Sequence, residues 1–298
     1  MVYSISGKTD MRFDKCLESF LVFKDTADVP TCRLSIVKHK TKLDVQHGNQ
    51  RVFEADTTWG LYKSQGPGVG GQGSVEGEGR ELGYVLTVPS LKNRRHPQLV
   101  AELDKDFMRG DVHIGRNGAH HFLYPFLELV TINLLGKGNG VLLHACCVDD
   151  NGKGYLFVGQ SGAGKSTMAD LWNGRDGVRV LSDDRVIVHT KQGARENEKD
   201  AEFVAYGTPW HGTGNYAVNA GVPVEKIYLI SHAEKNSAVP VKGMQPVTRL
   251  IRDSFLPFWD RDGINYSVGF IERIVKGVDV FDLEFVPDGE AVNFIRNM

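Results

Sequence analysis

The chain has 298 residues, 41% hydrophobic and 24% charged, with a formal net charge of −2 at pH 7. Those proportions are those of a globular protein long enough for one large or two ordinary domains. With no basic surplus, overall electrostatics give no support to a nucleic-acid or acidic-membrane partner, so a protein, peptide or metabolite partner is expected.

The N-terminal "MVYSISGKTDMRF" carries charges where a signal peptide needs an apolar core, and the most apolar later stretch, "FLYPFLELVTINLLG", is short and contains Glu128. No membrane-spanning or export segment is expected. Cys16, Cys32, Cys146 and Cys147 show no zinc, disulfide or redox spacing, which fits reduced thiols in the cytoplasm. Over residues 1–105 the runs "SFLVFKD", "TCRLSIVKH", "KLDVQHG", "RVFEADTTWGLYKS" and "LGYVLTVPS" read as short strands of a small β-rich domain. Gly68, Gly70 and Gly73 form a GxGxxG match. No helix pattern follows it, so a flexible hairpin loop is the simpler reading.

Residues 106–298 form the expected second domain. Apolar residues recur at helical spacing over 120–135, a helix laid on a sheet. "GVLLHACCV" and "GYLFV" are apolar strands joined through Asn151-Gly152, a strong hairpin signal. The strand entering the next motif therefore has an antiparallel neighbour, unlike the purely parallel nucleotide-binding sheets. "STMADLWN" is a helix stopped at Gly174, "GVRVLSDDRVIVH" is strand, acidic pair, strand, and 191–202 is a solvated loop. "EKIYLIS" is a strand, 247–258 and 264–275 are helical, and "VFDLEFVPDGEAVNFIRN" is a closing strand and helix.

Gly159, Gln160, Ser161, Gly162, Ala163, Gly164, Lys165, Ser166 and Thr167 form GxxxxGK[ST] plus one residue, between a strand and a helix. Glycines let backbone N–H groups converge on phosphate oxygens, and the helix N-terminus adds partial positive charge. Lys165 supplies a point charge and Ser166 a hydroxyl for magnesium. Asp183 and Asp184 follow closely, and one carboxylate suffices for the metal. The other could be a general base, or a turn aspartate. Two adjacent ionised carboxylates call for a cation. His144 shares a strand face with Leu142, Cys146 and Val148, where a buried, hydrogen-bonded histidine is the plain alternative to a catalytic one. Arg249 and Arg252 could neutralise charge but read first as solvated helix residues. "GTPWHGTGN" is a candidate acceptor contact displaying Trp210 and His211, or else an ordinary turn.

"LLHACCVDDNGKGYLFVGQSGAGKST" followed by "LSDDRVIV" resembles the catalytic domain of HPr kinase/phosphorylase and its stand-alone relatives. The resemblance is close over 142–188. It implies an α/β fold with a mixed-sheet P-loop kinase domain related to phosphoenolpyruvate carboxykinase, here preceded by the β-rich domain. It further implies that Lys165 and Ser166 bind ATP phosphates and Mg2+, and that His144 lies beside the acidic pair. One aspartate would bind metal and the other deprotonate a serine hydroxyl; Asp183 is assigned as metal ligand and Asp184 as base. Relatives of this type are often oligomers, and a homo-oligomer is compatible with the chain. The Ile-Arg-Gly signature of true HPr kinases is missing downstream, where "YGTPWHGTGN" stands. That places the chain with the stand-alone relatives rather than with kinases of HPr itself.

The expected function is ATP- and Mg-dependent transfer of a phosphoryl group to a hydroxyl, with a protein or peptide serine as acceptor, bound near Trp210 and His211. A small-metabolite or carboxykinase-like phosphotransferase and a non-catalytic ATP-binding switch remain the alternatives.

Overall fold

The computed structural model describes residues 3–6, 32–40, 42–43, 45, 49–56, 58–64, 82–89, 96–116, 118–190 and 202–298. The strand expected at "SFLVFKD", the GxGxxG match and the polar run at 191–201 lie outside them. The described residues fall into two compact units, meeting in the chain between Leu134 and Leu135.

The first unit is built on a seven-stranded mixed sheet of β1 (Tyr3–Ser6), β2 (Cys32–Lys38), β3 (Gln50–Ala55), β4 (Trp59–Lys63), β5 (Leu82–Val88), β6 (Leu99–Asp104) and β7 (Arg109–Ile114), ordered β1-β2-β7-β6-β5-β4-β3. β1–β2 and β2–β7 are parallel and the other pairs antiparallel. Alternation in "CRLSIVK" buries Cys32, Leu34 and Ile36, as period-two strands do. The described part of "KLDVQHG" is not a strand. The helix expected near 120–135 is kinked: Tyr124 is extended (φ −134°, ψ 126°) ahead of Pro125, and α1 runs regularly over Glu128–Leu134.

The second unit holds a nine-stranded mixed sheet. β8 (Val141–Asp150) and β9 (Lys153–Val158) form the expected hairpin, with Asn151 at φ 54° and Gly152 at φ 86°, the two positive values that a tight two-residue turn demands. A glycine-rich loop then leads to α2 (Lys165–Trp172). β10 (Val178–Ser182) and β11 (Arg185–Thr190) run antiparallel to β8; β12 (Phe203–Gly207) links β11 to β13 (Gly221–His232). β14 (Ser237–Pro240), α3 (Met244–Arg252), β15 (Ser254–Phe255), α4 (Arg261–Gly277), β16 (Asp279–Phe285) and α5 (Gly289–Arg296) complete the unit.

β8 and β9 are apolar on both faces because helices cover both. On one face Cys146, Val148, Tyr155 and Phe157 pack on Met168, Ala169 and Trp172 of α2 and on Ala291, Val292 and Ile295 of α5. On the other, Leu143, Ala145, Cys147, Leu156 and Val158 pack on Val247 and Leu250 of α3 and on Phe270, Ile271 and Ile274 of α4. Trp172, fully buried against Tyr155 and Phe157, anchors α2, and truncating such an aromatic to alanine costs about 3–5 kcal/mol. Cys32, Cys146 and Cys147 are unbridged and buried, and burial pushes the thiols of Cys146 and Cys147 far up, which keeps them unreactive. Among the described residues no helix is long and apolar enough to cross a membrane.

Candidate functional site

Strand register gathers the candidate residues at one end of the β8–β9 hairpin. Val158, the last residue of β9, pairs with Ala145 of β8. On the opposite edge of β8, past a bulge between Val180 and Ser182, Ser182 pairs with Cys147 and Arg185 with His144, so the bend at Asp183 and Asp184 falls between those two pairs, with the Asp184 carbonyl accepting from Ala145 N–H. The glycine loop, His144 and the acidic pair therefore share one level of the sheet, on the side toward which α2 presents its N-terminus.

The loop is built for close backbone approach. Gly162 (φ 83°) and Gly164 (φ 101°) adopt left-handed conformations, and a Cβ on Gly164 would meet the Phe285 ring at 2.6 Å and His232 at 2.8 Å. Gln160, Ser161 and Gly162 are exposed. The first intrahelical bond of α2 runs from Met168 N–H to the Gly164 carbonyl at 2.8 Å. The amides ahead of it, at Lys165, Ser166 and Thr167, have no acceptor within the helix and carry its positive end. Lys165 is only 7% exposed and donates to the carbonyls of Gly159 (2.7 Å) and Gln160 (3.1 Å). Burial lowers its pKa, against the opposing pull of Asp184, Asp253 and Asp183.

Asp184 is gripped on both oxygens. His144 Nε2 lies 2.9 Å from Oδ1, and the Arg185 guanidinium pairs with Oδ2. Burial works to raise the Asp184 pKa, but the His144 hydrogen bond and the charges of Arg185, His144 and Lys165 together hold it below the usual carboxylate value. Phe255 braces both partners: the Arg185 guanidinium sits 4.7 Å over its ring, and the His144 ring is 5.8 Å away. Phe255 reaches this place because β15 pairs with Leu142 and Leu143 of β8. Main-chain bonds complete the grip, from Ala145 N–H to the Asp184 carbonyl (3.0 Å) and from His144 N–H to that of Asp253 (2.9 Å).

Asp183 is 1% exposed and ties down a different segment. Its Oδ1 accepts from Gly212 N–H at 2.8 Å and its Oδ2 from Gly214 N–H at 2.7 Å. Thr213 Oγ1, between those glycines, lies 3.4 Å from Ser166 Oγ, and Tyr216 donates to Asp170 at 2.9 Å. The sequence reading expected Trp210 and His211 to be displayed together; instead Trp210 is buried, at 6% exposure. Thr208 donates to the Arg185 carbonyl at 2.7 Å and reaches the Trp210 carbonyl at 3.4 Å, turning the segment inward so that the indole loses its apolar surface to the interior. His211 stays half-buried, its Nδ1 2.9 Å from the Gly212 carbonyl. Arg249 pairs with Asp282 and Arg252 with Asp253, so each has a carboxylate partner of its own.

Sequence reasoning missed Arg185, Phe255, Gly212, Thr213 and Gly214. The Gly-Thr-Gly spacing was a legible signal of close backbone approach; the two-residue strand carrying Phe255 offered none. As oxygen donors for a divalent cation, Asp183 and Ser166 suit magnesium in kind, since each Asp183 oxygen keeps acceptor capacity beyond its one amide bond. Among the described residues no group of three or more His, Cys, Asp or Glu is placed to hold a metal ion.

No protein-family model matches the chain, and no curated protein matches it. Among solved structures, the HPr(Ser) kinase/phosphatase from Coxiella burnetii is similar at 15% identity and a TM-score of 0.28, over 52% of this chain and 94% of that one. A likeness of that size carries neither fold nor chemistry over to this chain.

Proposed function

We propose that the second unit is an ATP- and Mg-dependent phosphotransferase of the HPr kinase-like kind, delivering a phosphoryl group to a hydroxyl, with serine of a protein or peptide as the acceptor. The observation that carries this reading is the register that sets the glycine loop, Lys165, His144 and Asp184 at one level of the sheet.

ATP supplies the transferring phosphoryl group, and magnesium neutralises its charge. The loop and the first amides of α2 bind phosphate oxygens through backbone N–H groups, a fit supported by the left-handed Gly162 and Gly164. Lys165 sets a cation at the mouth of the helix, and Ser166 with Asp183 would hold the metal. Asp184 orients the acceptor hydroxyl and takes its proton. Arg185 and His144 keep that carboxylate ionised and pointed, which matters because phosphoryl transfer asks the protein mainly for positioning and charge stabilisation.

The test is transfer of labelled phosphate from ATP to a panel of serine peptides and small hydroxyl compounds, with ATP affinity measured alongside. Asp184→Asn should bind ATP like the wild type and lose about 10²–10⁴ in transfer rate. A variant that transferred normally would remove the base role, and small hydroxyl compounds outperforming peptides would move the acceptor class.

A further inference from the structure

We infer that Thr213 supplies a third oxygen to the divalent-cation position that Ser166 and Asp183 define, an inference that rests on the nucleotide reading above. Asp183 is held by the amides of Gly212 and Gly214, and a side chain at either position would collide with it: a Cβ would lie 2.9 Å from Oδ2 at Gly212 and 2.8 Å at Gly214. Between Gly212 and Gly214 the turn therefore presents the Thr213 side chain. Its hydroxyl stands 3.4 Å from that of Ser166.

The backbone around Thr213 is secured without its help. Downstream, Tyr216 bonds Asp170, one helical turn beyond Ser166 on the same side of α2. Ala217 bridges to Ser182, and Val218 N–H donates to the Leu181 carbonyl at 2.9 Å. Upstream, Thr208 is tied to Arg185. Thr213 itself is exposed, and its one long hydroxyl contact adds little to holding the segment. A fold that anchors both flanks and aims a hydroxyl at the metal-binding hydroxyl of the loop has placed it for a ligand.

The chemistry suits a hard cation. One carboxylate and two hydroxyls are oxygen donors of the type magnesium accepts alongside phosphate oxygens and water. Neighbouring ligand atoms of an octahedral magnesium lie about 3 Å apart, as metal–oxygen distances near 2.1 Å require. The Ser166–Thr213 separation needs a shift of only a few tenths of an ångström to reach it.

The experiment uses the full chain and Mn2+ as the probe, with free and bound Mn2+ followed by electron paramagnetic resonance at saturating ADP. Thr213→Val should weaken ADP-dependent Mn2+ binding about tenfold, while Thr213→Ser, which restores a hydroxyl, stays within about twofold of wild type. Metal-free ADP affinity and melting temperature should be unchanged in both. Wild-type Mn2+ affinity in Thr213→Val, with a loss in Ser166→Ala, would overturn the role of Thr213 and leave the nucleotide reading standing. No ADP-dependent Mn2+ binding by the wild type would overturn the nucleotide reading itself. Should Thr213→Val fold poorly, Thr213→Ala set against Thr213→Ser carries the same comparison.

Discussion

The two ends of the β8–β9 hairpin each bury a carboxylate and treat it differently. At the turn end, Asp150 receives a two-pronged guanidinium bond from Arg296, at 2.9 and 2.8 Å, and the guanidinium lies 5.3 Å over the Trp172 ring. Each acid there meets a base of its own, Asp150 with Arg296 and the adjacent Asp149 with Arg179 at 2.9 Å, and the first pair clamps the last helix onto the hairpin. At the loop end, two acids, a histidine, an arginine and a buried lysine crowd one level of the sheet. Asp183 binds backbone amides, not a cationic side chain, and burial depresses the pKa of Lys165. Stability alone does not call for that concentration of charge, because a buried ion costs several kcal/mol in desolvation. The turn end is built to hold, and the loop end is where the proposed function puts binding and reaction.

Substitution at the loop end should break that contrast most visibly. Lys165→Met should weaken ATP binding by about 10²-fold or more with only a small change in melting temperature, because relief of the desolvated charge offsets the lost bonds to the Gly159 and Gln160 carbonyls. A melting temperature that collapsed, with ATP affinity retained, would make this lysine structural. At the turn end the pattern should invert. Arg296→Ala leaves Asp150 buried without its guanidinium and should cost about 2–3 kcal/mol, toward the low side for a broken buried pair because Arg296 is one-third exposed. Its ATP affinity should stay within about twofold. Denaturant unfolding and calorimetric ATP titration check both.

Smaller effects sharpen the division inside the loop end. Gly212→Ala forces a Cβ against Asp183 Oδ2 and should displace the segment, with a stability cost of about 1 kcal/mol and a clear loss of Mn2+ affinity at saturating ADP. Tyr216→Phe should cost only a few tenths of a kcal/mol, since its bond to Asp170 is open to solvent screening. Burial and that hydrogen bond push the Tyr216 phenol up to about 12, so the fold prefers the neutral form. The contribution is therefore fully present below the ordinary tyrosine pKa of about 10 and is lost as pH rises through about 12. The stability gap between wild type and Tyr216→Phe should close over that window.

How much of this was readable beforehand follows from the range of each signal. The Asn151-Gly152 turn, the run of α2 and the strand–acid pair–strand pattern are local, written in consecutive residues, and the structure has each of them. The face of β8 that carries His144 follows from period two. The bracing of Arg185 and His144 by Phe255 was not readable, because it joins residues 70 and more positions apart through a strand of two residues. The burial of Trp210 was not readable for a related reason. An aromatic among glycines suggests a displayed loop, but whether it turns in or out is decided by Thr208 reaching back to Arg185, a contact of sequence separation 23.

The most direct measurement is a crystal structure of the full chain with ADP and Mg2+. The expected result is the β-phosphate on the amides of residues 162–166, the cation on Ser166 and Asp183, and Asp184 facing the open side of the phosphates. Nucleotide bound elsewhere, or phosphates held with Asp183 and Asp184 turned away from them, would contradict it.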